Sequence, residues 1–452
     1  MATSVCQSDR CCCHTACLPT FANWSYIFGP CSKGTAIVDV FRNEVSVFEI
    51  MKGVRVVEIG SFVFVPLATA VLADWGADVI KIEHPRTGDP YRGLTTAGTT
   101  THVGAINLSF QYANRGKRSL GLDLTKPAGR ALLDELLAQA DVFVTNLRPG
   151  VRERLGLGVE QVRKVNPDIV YVRGSGYGQK GEQTETAALD GTAYWARSGV
   201  ATALTPPGME RPISQRPAFG DVMAAMTLAG GIAAALFGRS NTGKAPVVDV
   251  ALMNVGMWQM QRDILGAPYE KVDSTQRTVG RTERNPLTNN YLTSDGRFIS
   301  LAIVNPDSYW AELCEVLGRP DLINDEHFAN AKVRQQNVEA CVAEFDAIFA
   351  AHDLNHWIKT LTRFSGAWAP YQRPADLHND PVALDNGFFT ELDVDGETKL
   401  MAVSSPVNFD EFDEPRRMPG APEVGQHGEE ILLELGHDWD EIAALKDKGV
   451  IT

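Results

Sequence analysis

Met51-Lys-Gly-Val-Arg-Val-Val-Glu-Ile-Gly-Ser-Phe-Val-Phe-Val-Pro-Leu-Ala-Thr-Ala-Val-Leu-Ala-Asp-Trp-Gly-Ala-Asp-Val-Ile-Lys-Ile-Glu83 is the stretch on which the reading of the fold turns. Val54 to Ile59 is an apolar run of strand length, Pro66 to Trp75 carries helical spacing closed by Gly76, and Ala77 to Ile82 is a second apolar run. Strand, helix and strand in this order form a βαβ unit of parallel-sheet type. The alternation continues. Strands are predicted at Ser119 to Leu124, Val142 to Asn146, Ile169 to Gly174 and Pro246 to Ala251. A helix opened by Pro127 runs to Ala140, and a small-residue helix starts after Asp221 and ends near Gly238. The pattern predicts an α/β protein with a Rossmann-like, doubly wound large domain.

Beyond about residue 270 the character changes to a polar stretch from Ser274 to Asn290, a strand around Phe298 to Ile303, and helical periodicity over Ser308 to Leu317 and Val333 to Ala351. A smaller α+β domain is expected over residues 270–370, with 371–384 as the return linker. Residues 51–265 and 385–452 then make the large, ligand-binding domain, onto which the closing helices Glu429 to Leu435 and Asp438 to Lys446 are expected to pack. Residues 1–50 show no sustained periodicity and hold six of the eight cysteines. The run from Cys11 to Cys17 lacks the paired spacing of a zinc site. This segment reads as a disordered or non-native extension, with Met51 as the natural start.

The chain of 452 residues is 44% hydrophobic and 22% charged, and carries a formal net charge of -14. Such a charge repels nucleic-acid phosphates and anionic lipid, so neither nucleic acid nor membrane is expected as a partner. No run approaches about 18 apolar residues, and no signal peptide is evident. The expected location is the cytoplasm, which suits the two scattered thiols, Cys314 and Cys341, outside the head. The turn after the first strand, Gly60-Ser-Phe-Val-Phe-Val-Pro66, has one glycine where a dinucleotide fingerprint needs three. That argues against NAD or FAD.

Six local motifs stand in register: Gly53-Val-Arg-Val-Val-Glu; Gly76-Ala-Asp-Val-Ile-Lys-Ile-Glu with Gly88-Asp89; Asn114-Arg-Gly-Lys-Arg-Ser-Leu-Gly-Leu-Asp-Leu124; Asp141-Val-Phe-Val-Thr-Asn146 with Arg148-Pro-Gly150; Asn166-Pro-Asp-Ile-Val-Tyr; and Phe219-Gly-Asp221. Across residues 51–452 the chain resembles the CaiB/BaiF family, also called family III CoA-transferases. The resemblance implies transfer of CoA from an acyl-CoA to a carboxylic acid, no permanently bound cofactor, no metal, and an interlocked homodimer. It also implies that Leu122, Asp123, Leu124 and Thr125 meet the CoA adenine and ribose. Asn146 and Arg154 are implied near the CoA chain. Arg115, Lys117 and Arg118 form a cationic cluster suited to the CoA phosphates.

The resemblance makes Asp221 the nucleophile, through an aspartyl mixed anhydride and then an aspartyl-CoA thioester. A carboxylate suits that role, being ionised at neutral pH without a general base. Asp221 also precedes a helical run, where aspartate is a favoured N-cap. Asp190 and Tyr194 are expected to line the acyl or pantetheine pocket, with Phe62 and Phe64 adding apolar wall. Acyl-CoA racemases share the resemblance but place a histidine where Leu189 stands, and leucine moves no proton. A racemase or epimerase and a non-catalytic CoA-binding protein are the alternative readings.

Overall fold

The computed structural model describes residues 47–94, 101–269, 280–409 and 416–452. The cysteine-rich head up to residue 46, and the start of the polar stretch at 274–279, lie outside them. Packing begins before Met51: Phe48 is 4% exposed, and its N–H is donated to the Asp74 carbonyl at 3.3 Å.

Six parallel strands make the main sheet: β1 (Arg55–Ile59), β2 (Asp78–Glu83), then, after the two-residue strands β3 (His102–Val103) and β4 (Ile106–Asn107), β5 (Arg118–Gly121), β6 (Val142–Thr145), β7 (Val170–Ser175) and β8 (Val247–Ala251). Their order is β5-β2-β1-β6-β7-β8. The chain winds outward from β1 in one direction, returns, and winds outward from β6 in the other, which is the doubly wound order. Side chains alternate across the sheet with period two. Val56, Val79, Val142, Val144, Val170 and Val172 enter one core, while Val57, Ile80, Ile82, Phe143 and Tyr171 enter the other. Because both faces are covered, these strands read as unbroken apolar runs.

On the first face α1 (Phe64–Asp74) is buried along its whole length. It ends where Gly76, at φ +93°, takes a left-handed turn whose added Cβ would overlap the Phe48 carbonyl. After α2 (Leu108–Asn114), α3 (Pro127–Ala138), α4 (Pro149–Arg154), α5 (Val159–Val165) and α6 (Val200–Leu204) comes α7 (Phe219–Thr242), which packs along α1. Ala224, Ala225, Leu228, Ala229 and Ile232 are fully buried; the three alanines let the two helices approach. By length and composition α7 is apolar enough to cross a membrane. In the fold this flank belongs to the core. On the second face α3 and the closing helices Gly428–Glu434 and Trp439–Asp447 pack through Leu133, Leu136, Ile431, Leu432 and Ile442.

A separate core is drawn wholly from Leu287 to Phe364. It joins the antiparallel strands β9 (Asn290–Leu292), β10 (Phe298–Leu301) and β11 (Trp368–Pro370) to helices Pro306–Val316 and Val338–Ala350. The single helix expected over Val333 to Ala351 is two, Ala331–Gln336 and Val338–Ala350, because Asn337 leaves helical geometry between them. Strands β12 (Phe389–Asp393), β13 (Lys399–Val403) and β14 (Arg416–Pro419) form a third sheet. Its Leu392 and Met418 return to the first core.

Candidate active site

A doubly wound sheet leaves a crevice at the carboxyl ends of the strands where the winding reverses. Here that point lies between β1 and β6. Ser61 and Phe62 follow β1, Asn146 follows β6 and Gly176 follows β7, and all four line a cavity of about 620 Å³. Phe64, Asp190 and Asp221 line it as well. The structure thus brings together five side chains singled out in the sequence: Phe62, Phe64, Asn146, Asp190 and Asp221.

Asp221 lies in the first turn of α7, not at its cap. The helix begins two residues earlier, and its N-cap position is Ala218, at φ +59°, which has no side-chain acceptor. The missing acceptor comes from far along the chain. Asp190 Oδ1 and Oδ2 accept from Gly220 N–H at 3.2 and 3.3 Å, doing for the helix start what a local cap does elsewhere. Gly220 is required at this junction, because a Cβ there would overlap the Tyr194 ring and lie 2.7 Å from Asp190 Oδ1. Asp190 itself precedes one π-helical stretch, Gly191–Ala196, a rare geometry that re-aims side chains at functional sites.

Two acids therefore face one poorly solvated space. Burial, and then the negative charge of Asp190, pushes the Asp221 carboxyl up to about 7. Burial likewise raises Asp190, against hydrogen bonds that favour its charged form. Burial thus sets the Asp221 carboxyl well above the ordinary carboxylate range on which the expectation of full ionisation rested. A carboxyl perturbed by burial and by a neighbouring acid in a cleft is a functional-site candidate.

The other predicted residues do not line the cavity. Tyr194 is fully buried and is not among the cavity-lining residues; its hydroxyl bonds Gln259 Oε1. Arg115 clamps Asp74 with two bonds at 2.9 and 2.6 Å. Lys117 donates to Glu58 Oε2 and the Pro66 carbonyl, both at 2.7 Å. Arg118 binds Asp78 and Glu434. Arg115 and Lys117, 3% and 2% exposed, are thus engaged by buried carboxylates, whereas Arg118 stays partly exposed with its partners at the surface. Leu122 to Thr125 follow β5, where Leu122 N–H bonds the Glu83 carbonyl and Asp123 Oδ1 accepts from Thr125. Arg154 is exposed at the end of α4. Among the described residues no group of three or more His, Cys, Asp or Glu side chains could hold a metal. The residues Ser61, Gly176, Tyr177 and Gln179 were not singled out in the sequence, although their places just beyond β1 and β7 were a signal for them.

Fold and site together define an α/β enzyme that handles its ligand across the carboxyl ends of a parallel sheet. Residues 51–428 match the model of CoA-transferase family III. The chain is 31% identical over 403 residues to (R)-2-hydroxy-4-methylpentanoate CoA-transferase of Clostridioides difficile, covering 89% of this chain and 99% of the relative. It is 31% identical over 414 residues to cinnamoyl-CoA:phenyllactate CoA-transferase of Clostridium sporogenes, covering 88% and 97%. A crystal structure of a CaiB/BaiF family protein from Brucella suis superposes with a TM-score of 0.73 at 26% identity, over 85% of this chain and 99% of that one. The protein belongs to CoA-transferase family III and is a CoA-transferase.

Proposed function

We propose that Asp221 carries CoA between an acyl-CoA donor and a carboxylic acid acceptor by covalent catalysis. The observation that supports this most is its position in the cavity wall at the first turn of α7, beside Asp190. The Asp221 carboxylate attacks the donor thioester carbonyl, and the C–S bond breaks to release CoA thiolate and leave a mixed anhydride. The thiolate then attacks the aspartyl carbonyl, giving an aspartyl-CoA thioester and the donor acid. The acceptor carboxylate repeats both steps in reverse. Amide N–H groups at the helix start are suited to charge developing on the carbonyl oxygen.

In this reading the nucleotide end of CoA lies toward Leu122 to Thr125. They leave β5 at the same carboxyl edge of the sheet as Ser61 and Asn146. Asn146 and Arg154 are then placed toward the CoA chain. Residues 51–265 with 385–452, and residues 270–370, act as a large and a small domain; the separate core over Leu287 to Phe364 supports the division. A second copy of the chain is expected to cover apolar side chains exposed in the single chain, among them Phe237, Trp258 and Leu265, which are 70%, 72% and 75% exposed. The free, buried thiols Cys314 and Cys341 suit a cytoplasmic location. The test is CoA transfer across a panel of acyl-CoA donors and carboxylic acids. Asp221→Ala should abolish it with the fold intact, and transfer at an undiminished rate would overturn the assignment.

A further inference from the structure

The turn after β1 is held by buried polar side chains that the transfer chemistry does not use. Phe62 has φ +65°, a left-handed conformation that a bulky residue adopts only under constraint. Its N–H is donated to Asp89 Oδ1 at 3.2 Å, an oxygen that also accepts from Tyr91 N–H at 2.9 Å. Asp89 Oδ2 faces Lys81 Nζ at 3.0 Å. Lys81 in turn donates to the Gly60 carbonyl at 2.9 Å and to Glu58 Oε1 at 2.8 Å. From the other side, Asn146 accepts from Ser61 N–H at 3.1 Å and donates to the Ser61 carbonyl at 2.8 Å. Gly60, Ser61 and Phe62 are each tied to a fixed side chain.

Glu58, Lys81 and Asp89 are at most 3% exposed. A buried ion network of this kind is a poor source of net stability, since apolar residues of similar volume often serve as well. Its value is conformational. The turn it holds carries Phe62 in the wall of the cavity that contains Asp221, with the Phe62 ring 6.1 Å from that of Tyr91.

We propose that Asp89, backed by Lys81, is a positioning residue that keeps Phe62 in its left-handed form and so sets the wall against which the substrate's acyl group lies. The proposal rests on the reading of the cavity as the acyl site around Asp221. Asp89 touches no reacting atom and acts through the Phe62 backbone. Without it the turn relaxes toward negative φ, and the ring leaves the wall.

Two measurements on the full chain test this. Hydrogen exchange of the segment from Gly60 to Phe64 should rise on the order of tenfold in Asp89→Ala, with β6 and β7 unchanged. It should rise less in Asp89→Asn, which keeps an acceptor oxygen. Unchanged exchange in that segment overturns the proposal. The second measurement is a double-mutant cycle on kcat/KM, with cinnamoyl-CoA as bulky donor and acetyl-CoA as small donor. Asp89→Ala should lower kcat/KM more for the bulky donor. Its effect should vanish in a Phe62→Gly background, because glycine takes positive φ freely and leaves Asp89 no ring to position. Equal losses in both backgrounds would assign Asp89 a general structural role and reject the inference. If Asp221→Ala retains transfer, the site reading fails, whereas the exchange measurement still decides the turn.

Discussion

Asp221→Asn should make the protein more stable as it removes activity. Burial and the charge of Asp190 push the Asp221 pKa from 3.8 up to about 7. Between those values the folded chain binds the Asp221 proton more tightly than the unfolded chain does. The stability linked to this group is therefore fully present below 3.8 and is lost as pH rises through about 7, beyond which the deficit is constant. At about 1.36 kcal/mol per pKa unit the whole shift is worth roughly 4 kcal/mol. Asp221 keeps some solvent access, which brings the expected figure to about 2–3 kcal/mol. Asparagine fills the same space without a charge, so its advantage should grow from about pH 5 to about pH 8. The assay is denaturant unfolding of both proteins across that range at one protomer concentration, so that association contributes equally. A variant no more stable than the wild type at about pH 8, or one whose advantage is the same at about pH 5, would refute the reasoning.

Four further outcomes are expected. The pH profile of kcat/KM should have an acidic limb near pH 7, since the ionised Asp221 is the attacking form. Asp190→Asn removes a negative charge and should move that limb to lower pH. Gly220→Ala should cost at least about 1–3 kcal/mol in unfolding free energy and abolish transfer, because the new Cβ meets Tyr194 and Asp190. Arg115→Ala should lower stability by about 3–5 kcal/mol, because it leaves the carboxylate of Asp74 buried and uncompensated. Were Arg115 instead a phosphate ligand, calorimetry would find CoA affinity lost with stability unchanged.

Much of the sheet domain was legible because its strands are covered on both faces. The run Val142–Thr145, buried at every position, has no other plausible place than an interior parallel strand. The family motifs also led to Asp221 and Asp190, which share one cavity. What escaped the reading depends on partners distant in sequence. The start of α7 was placed too late because its cap is Asp190, not a neighbour of the helix. Its end was placed too early: Gly238 looks like a stop, but the helix runs on to Thr242, with Arg239 paired to Asp141 at 2.7 Å. The cations of Arg115 and Lys117 look like a solvated basic turn until Asp74 and Glu58, forty and more residues earlier, are seen beside them. Phe62 gave no hint of its positive φ, since phenylalanine is not a turn residue. Asp89 was read only as part of a Gly-Asp motif, with nothing in the sequence linking it to that turn.

Covalent catalysis by Asp221 is open to direct proof by trapping the intermediate. The protein is incubated with a panel of acyl-CoA thioesters, treated with hydroxylamine or borohydride, and mapped by peptide mass spectrometry. A hydroxamate or a reduced side chain is expected at Asp221 alone, and none in Asp221→Ala. An unmodified Asp221 in protein that exchanges the α-protons of acyl-CoA would contradict it and favour a racemase.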